Sequence, residues 1–142
     1  MSKEKHPRHY GRKAVFQALY SVQISQENDA KVLDDIMKRY NFDENTSKYV
    51  SDLFTKTVEN KKFIVETISK YLENWIWSRV ALLDRLILQM ATAELFYIDD
   101  VPPKVTIAEA IQIAIEFSTS DSSAFVNGIL DAIYKDNDDI NG

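Results

Sequence analysis

The chain has 142 residues, 45% apolar and 27% charged, a net charge of −5 and no cysteine. That length fits one domain, residues 1–142, with room for a real core, and the missing thiols exclude disulfides, thiolate zinc sites and cysteine nucleophiles. MSKEKHPRHYGRK lacks the apolar centre of a signal peptide, and the longest apolar region, 80–98, is interrupted by Asp84, Arg85, Gln89 and Glu94, so no membrane span is expected and a cytoplasmic location fits.

With only three glycines and three prolines, the chain can be helical over long stretches. The periodicity predicts a first helix over about 11–24, a turn at SQENDA, and a second helix over about 30–40. After the polar NFDEN, Thr46 is a plausible cap for a third helix to about Asn60, and a fourth runs to about Leu72. ENWIWS reads as a connector, with Ser78 as an N-cap. The fifth helix, about 79–98, is apolar around most of its circumference, as expected of a central, buried helix. DDVPP ends it, and the sixth runs from about Lys104 to Phe117. STSDSS turns the chain into a seventh helix, about 122–135. No segment alternates as a strand would, so the fold class read from the pattern is all-α. Residues 1–9 are expected to form a basic flexible arm and 136–142 an acidic frayed tail.

Charge is distributed unevenly. Residues 1–13 carry Lys3, Lys5, Arg8, Arg12 and Lys13 against Glu4 alone, a balance of +4, which leaves −9 for the remainder. A local basic patch on an acidic body points to an anionic partner rather than to a chain coated with nucleic acid. On a helical wheel Ala14, Val15, Ala18, Leu19 and Val22 share the core arc, whereas Lys13, Gln17 and Tyr20 fall together on the opposite side. Arg8 and Arg12 stand at the N-terminal end of the same helix, where cations oppose the macrodipole. That placement makes sense if phosphates visit and the Tyr20 ring stacks on an unpaired base. A solubilising tail, with Tyr20 packed on a neighbouring helix, is the plainer reading of the same residues.

In the last helix Val126, Ile129, Leu130 and Ile133 span the core arc, Phe125 sits at its edge and Asn127 lies outside it. Gly128 in mid-helix suggests close approach by another helix, or by an RNA backbone. Glu94 falls among Leu83, Ile87, Met90 and Ile98 and is expected to clamp the free N–H groups opening the sixth helix. Asp84 shares a flank with Leu88, Ala91 and Leu95, a strip that suits a basic protein partner or, equally, a solvated aspartate paired with a cation. Trp75 and Trp77 read as core staples at a helix junction. His6 and His9, the only histidines, would lie in the arm; they make no metal site and no histidine general base in a folded pocket. No cofactor is expected.

VPPKVTIAEAIQIAIEF and SSAFVNGILDAI, within residues 101–133, resemble the NusB family of transcription antitermination factors, whose members read V-P-x-x-V-A-I-N-E-A-[VI]-x-[LI]-A-K-x-[FY] and then F-V-N-G-[VI]-L-D. ALYSVQIS (18–25) and NWIWSRVALLDRLILQMATAEL (74–95, against N-W-x-x-x-R…D-R-x-[IL]-L-R-x-A-x-x-E-L) agree in order and spacing, over about residues 8–135. The resemblance implies a seven-helix bundle forming a single compact domain. It also implies a non-enzymatic factor that binds the single-stranded boxA element of nascent ribosomal RNA together with NusE, a small-subunit ribosomal protein. The pair would join an antitermination assembly on RNA polymerase, reading through terminators in ribosomal RNA operons. By match, the RNA surface would hold Arg8, Arg12, Tyr20, Phe125 and Asn127, with Lys13 and Gln17 added by the helical wheel. The NusE contact would include Asp84 and Leu88. A homodimer covering the RNA surface, as in some relatives, stays open.

His9 and Tyr10 stand where many relatives of that family have further basic residues, and in the later motifs Gln89 replaces an arginine, Ala108 an asparagine and Ile115 a lysine. They keep a second reading in view, a protein–protein module with weak or no RNA binding. An enzyme reading, by likeness to RNA 5-methylcytosine methyltransferases that carry a NusB-like module, fails for want of cysteine and of a cofactor domain.

Overall fold

The computed structural model describes residues 6–73, 76–137 and 140. Trp75 and most of the C-terminal tail therefore lie outside the described residues. Among the described residues there are seven α-helices and no strand: α1 (Pro7–Ser25), α2 (Asp29–Tyr40), α3 (Glu44–Glu59), α4 (Lys61–Ser69), α5 (Leu82–Tyr97), α6 (Pro103–Phe117) and α7 (Ser120–Asp136). No helix among them is long and apolar enough to cross a membrane. The chain divides into two units, 1–55 and 56–142, with the division falling inside α3.

In the first unit α1 packs on α2. α1 starts four residues before the expected Gly11, because Pro7 occupies its first turn and His6 caps it, with Nδ1 accepting from the Arg8 N–H at 3.1 Å. Arg8 and His9 are thus helical rather than part of a loose arm, and His9 is buried, edge-on to Tyr10. The core arc is as the wheel predicts for Ala14, Val15, Ala18 and Leu19, with Phe16 added. Gly11 is needed for packing: a Cβ there would lie 3.1 Å from Val50 Cγ2 and 3.3 Å from Tyr49 Cδ2. Asn28 caps α2 through the Ala30 and Lys31 N–H groups. Asp43, not Thr46, serves the start of α3, its Oδ1 accepting from the Thr46 N–H at 2.7 Å, while Thr46 itself is buried. That bond holds the Asp43 carboxyl below the usual carboxylate range.

In the second unit α5 packs against α4, α6 and α7, and α6 against α7. Residues 86–95 of α5 are all buried, as the apolar circumference required. Ser78 does not cap it. A 3₁₀ turn, Trp77–Arg79, and an extended Val80 intervene, and Ala81 precedes the helix without a side-chain cap. Pro103 takes the first position of α6. Glu94 is buried, as a clamp would require. The Thr119 hydroxyl caps α7 by accepting from the Ser122 N–H. Ile140, in the stretch expected to fray, is buried.

Candidate nucleic-acid interface

α1 turns the candidate residues of the first unit in different directions. Tyr20 is 42% exposed, a large aromatic surface to leave in water. Lys13 stands two turns earlier on the same face, about 10 Å along the axis, and is partly exposed. Gln17, between them, is engaged with α2: the Tyr40 hydroxyl donates to its Oε1, and the Tyr40 ring stacks on Phe42 with centroids 5.2 Å apart.

Arg12 departs from the expectation of an exposed phosphate contact. It is 3% exposed, its guanidinium 5.4 Å from the centre of the Tyr49 ring. The cause is local geometry. Gly11 brings α1 hard against the Thr46–Tyr49–Val50 face of α3, and the next residue is carried into the contact. Arg8, one turn earlier on the same side, lies 4.5 Å over the same ring and is partly exposed. Two guanidinium groups thus share one aromatic ring, each attracted by its quadrupole. Arg12 thus orders α1 against α3, and the cations left at the surface of this helix are Arg8 and Lys13.

The second unit holds Phe125 and Asn127. Phe125 lines two hollows. One, about 300 Å³, is bordered by Arg79, Val80, Ala81, Asp84, Asp121 and Ser122. The other, about 430 Å³, runs past Lys70, Tyr71, Gly128 and Ile129. The rims of these hollows carry both signs of charge, with exposed Arg79 and Asp121 at the first and exposed Lys70 and Glu73 at the second. Burial pushes the Tyr71 phenol up, and its hydrogen bond to Asp136 adds to the shift. Asn127 is exposed. The close approach expected at Gly128 is absent: a Cβ there would meet nothing within 4 Å, because the residue faces the open hollow rather than a helix. Sequence reasoning assigned no role to Lys70, Tyr71 or Arg79. The arginine of the N-W-x-x-x-R pattern was the available signal.

The expected partner strip is not a surface. Asp84 is 6% exposed and accepts hydrogen bonds from Ser122 Oγ at 2.9 Å and Ser118 Oγ at 3.3 Å. Leu88 is in the core. Both follow from α5 being enclosed on every side, so a carboxylate on its flank meets α7 and the turn before it instead of solvent. Gln89 is buried too, its Nε2 donating to the Arg85 carbonyl at 3.1 Å. Of the departures from the family pattern, Tyr10, Ala108 and Ile115 are exposed, whereas His9 and Gln89 are buried.

A family model described as "NusB family" matches residues 9–135. The chain is 38% identical to the transcription antitermination protein NusB of Chloroherpeton thalassium, covering 88% of this chain and 60% of that longer relative. It is 36% identical to the NusB protein of Oceanobacillus iheyensis, covering 89% of this chain and 97% of the other. Among solved structures, T. maritima NusB superposes with a TM-score of 0.87 at 38% identity, covering 94% of each chain. A complex of the antitermination factors NusB and NusE with double-stranded RNA contains the same fold, with a TM-score of 0.84 at 23% identity, covering 92% of this chain and 98% of that one. The chain belongs to the NusB family of transcription antitermination factors, a non-enzymatic family.

Proposed function

We propose that this chain binds a boxA-type single-stranded segment of ribosomal leader RNA together with NusE. In the cytoplasm the pair would join RNA polymerase and help it read through terminators in ribosomal RNA operons. The observation that carries the reading is the exposed Tyr20 ring, standing on one face of α1 with Lys13 in a chain that matches the NusB family over nearly its whole length. An exposed ring with a cation further along the same helix face is what an unstacked base and a neighbouring phosphate require. Phe125 borders two hollows whose rims include Arg79 and Lys70, which would place a second ring near cations in the second unit, with Asn127 exposed on the same helix. Arg8 and Lys13 supply phosphate contacts, and Arg12 contributes by holding α1 in place. Asp84 and Leu88 would act on NusE only through the surface they support.

The test is titration of the purified chain, with and without NusE, into short single-stranded leader RNA, with a double-stranded RNA as the competing arm. Three to four phosphate contacts predict a fall of log affinity with log salt of roughly −2 to −3. A slope near zero, with NusE captured regardless of RNA, would establish the protein–protein module instead.

A further inference from the structure

Tyr20 is not the only large side chain that α1 leaves in water: Tyr10 is 46% exposed and Ile24, one turn beyond Tyr20, is 58% exposed. Between Tyr10 and Tyr20 the residues of α1 that reach solvent are Tyr10, Lys13, Gln17 and Tyr20. At about 100° per residue these four and Ile24 fall within an arc of about 80°, so they form one line along the helix. Tyr10 and Tyr20 stand about 15 Å apart along the axis, and Ile24 about 6 Å further on. An edge-on contact with the buried His9, centroids 5.2 Å apart, orients the Tyr10 ring without covering it. α1 also carries Arg8, Arg12 and Lys13 and no carboxylate, whereas each of the other six helices has at least one.

We infer that Tyr10 is a further base-stacking residue, and that the line from Tyr10 to Ile24 is a track along which a single-stranded polynucleotide lies parallel to α1. The inference rests on the RNA-binding reading of Tyr20 and extends it from one base to a segment of strand. Two exposed rings with Lys13 and Gln17 between them alternate stacking surface with polar side chains, as a strand alternates bases with phosphates. With bases stacked at about 3.4 Å each, a strand of about five nucleotides reaches from one ring to the other. Ile24 offers apolar cover to the next base beyond Tyr20. A helix without carboxylates in a chain of net charge −5 favours a polyanion, and a line broken by Lys13 and Gln17 does not suit the apolar face of a partner helix. Many relatives of the family have a basic residue at the position of Tyr10. This chain therefore exchanges a phosphate contact for a stacked base, which makes its RNA binding less dependent on salt.

The experiment is titration of the full chain, together with NusE, with labelled oligouridylates of about three and about nine nucleotides, lengths below and above that span, at several salt concentrations. Tyr10→Ala should weaken binding of the longer strand about tenfold, as for one stacked base. It should hardly affect the shorter, which reaches one ring at a time, and should leave the melting temperature unchanged. Tyr10→Phe should bind as the wild-type chain does, because the ring and not the hydroxyl stacks. Tyr10→Lys should recover affinity lost in Tyr10→Ala, but steepen the fall of log affinity with log salt by about 0.7, one phosphate contact on a single strand. Ile24→Ser should weaken the longer strand by a smaller factor. If Tyr20→Ala weakens the longer strand and Tyr10→Ala does not, this inference is overturned and the RNA-binding reading stands. Binding indifferent to both rings, or no binding at all, overturns both. Equal losses for the two lengths with a lowered melting temperature make Tyr10 a packing residue, and loss of NusE capture with RNA binding intact assigns the line to a protein; either result overturns the inference.

Discussion

α1 and α5 each carry charged residues that the sequence offered as contacts for a partner, and they treat them in opposite ways. α5 is enclosed, so Asp84 turns inward and is held by two serine hydroxyls, and Leu88 disappears into the core. α1 is enclosed on one side only. It hides Arg12 over the Tyr49 ring but leaves Tyr20 and Lys13 in water. A polar residue on a helix flank is a contact or an anchor according to what stands across from it, and its own helix does not decide which.

The sharpest way to break the contrast is Asp84→Ala. Two serine hydroxyls would lose their acceptor, and stability should fall by about 2 kcal/mol, the worth of hydrogen bonds to a charged group. Thermal denaturation would read this as a drop of roughly 5–10 °C. An unchanged melting temperature would mean Asp84 is not the anchor described.

Tyr20→Ala tests the other side. Removing an exposed ring should leave helix content and melting unchanged while weakening RNA binding about tenfold, within the ~1–3 kcal/mol of one stacked base. Circular dichroism and an RNA titration separate the two effects. Gly128→Ala should raise stability by up to about 1 kcal/mol through helix propensity alone, since no neighbour opposes a methyl group there. A destabilised variant would show that another element closes on α7.

The smallest effect is at Asp43. Its carboxyl titrates below its unfolded value because the folded chain hydrogen-bonds the ionised form. The stabilisation is therefore complete above the unfolded pKa, about 4, and is lost as pH falls through the lowered folded value. Asp43→Ala should lower the melting point slightly at neutral pH and make no difference well below the folded pKa. A difference that persists there would assign the effect to packing instead.

Much of the helix pattern was legible because it rests on local rules. The apolar circumference of α5 announced its burial, and the run of valine, alanine and leucine on α1 announced its inner face. The errors were at boundaries where a second local signal competed. Pro7 and His6 started α1 early, Asp43 outranked Thr46 at the start of α3, and a 3₁₀ turn displaced Ser78 from the start of α5. The candidate site was half legible. Tyr20 and Lys13 are where the wheel put them, whereas Arg12 is not, because the glycine beside it was not recognised as the point of contact with α3. The surroundings of Phe125 were hidden altogether, since Lys70, Tyr71 and Arg79 reach it from a different part of the chain.

By itself the sequence determined that this is an all-helical chain with a basic start and a family signature, because hydrophobic period and motif spacing are properties of neighbours along the backbone. Tertiary structure alone decided which charges face water. Burial depends on residues far away in sequence: Tyr49 under Arg12, Ser118 and Ser122 around Asp84, and open space beside Gly128. A helical wheel knows the direction in which a side chain leaves its helix, but not what is waiting there.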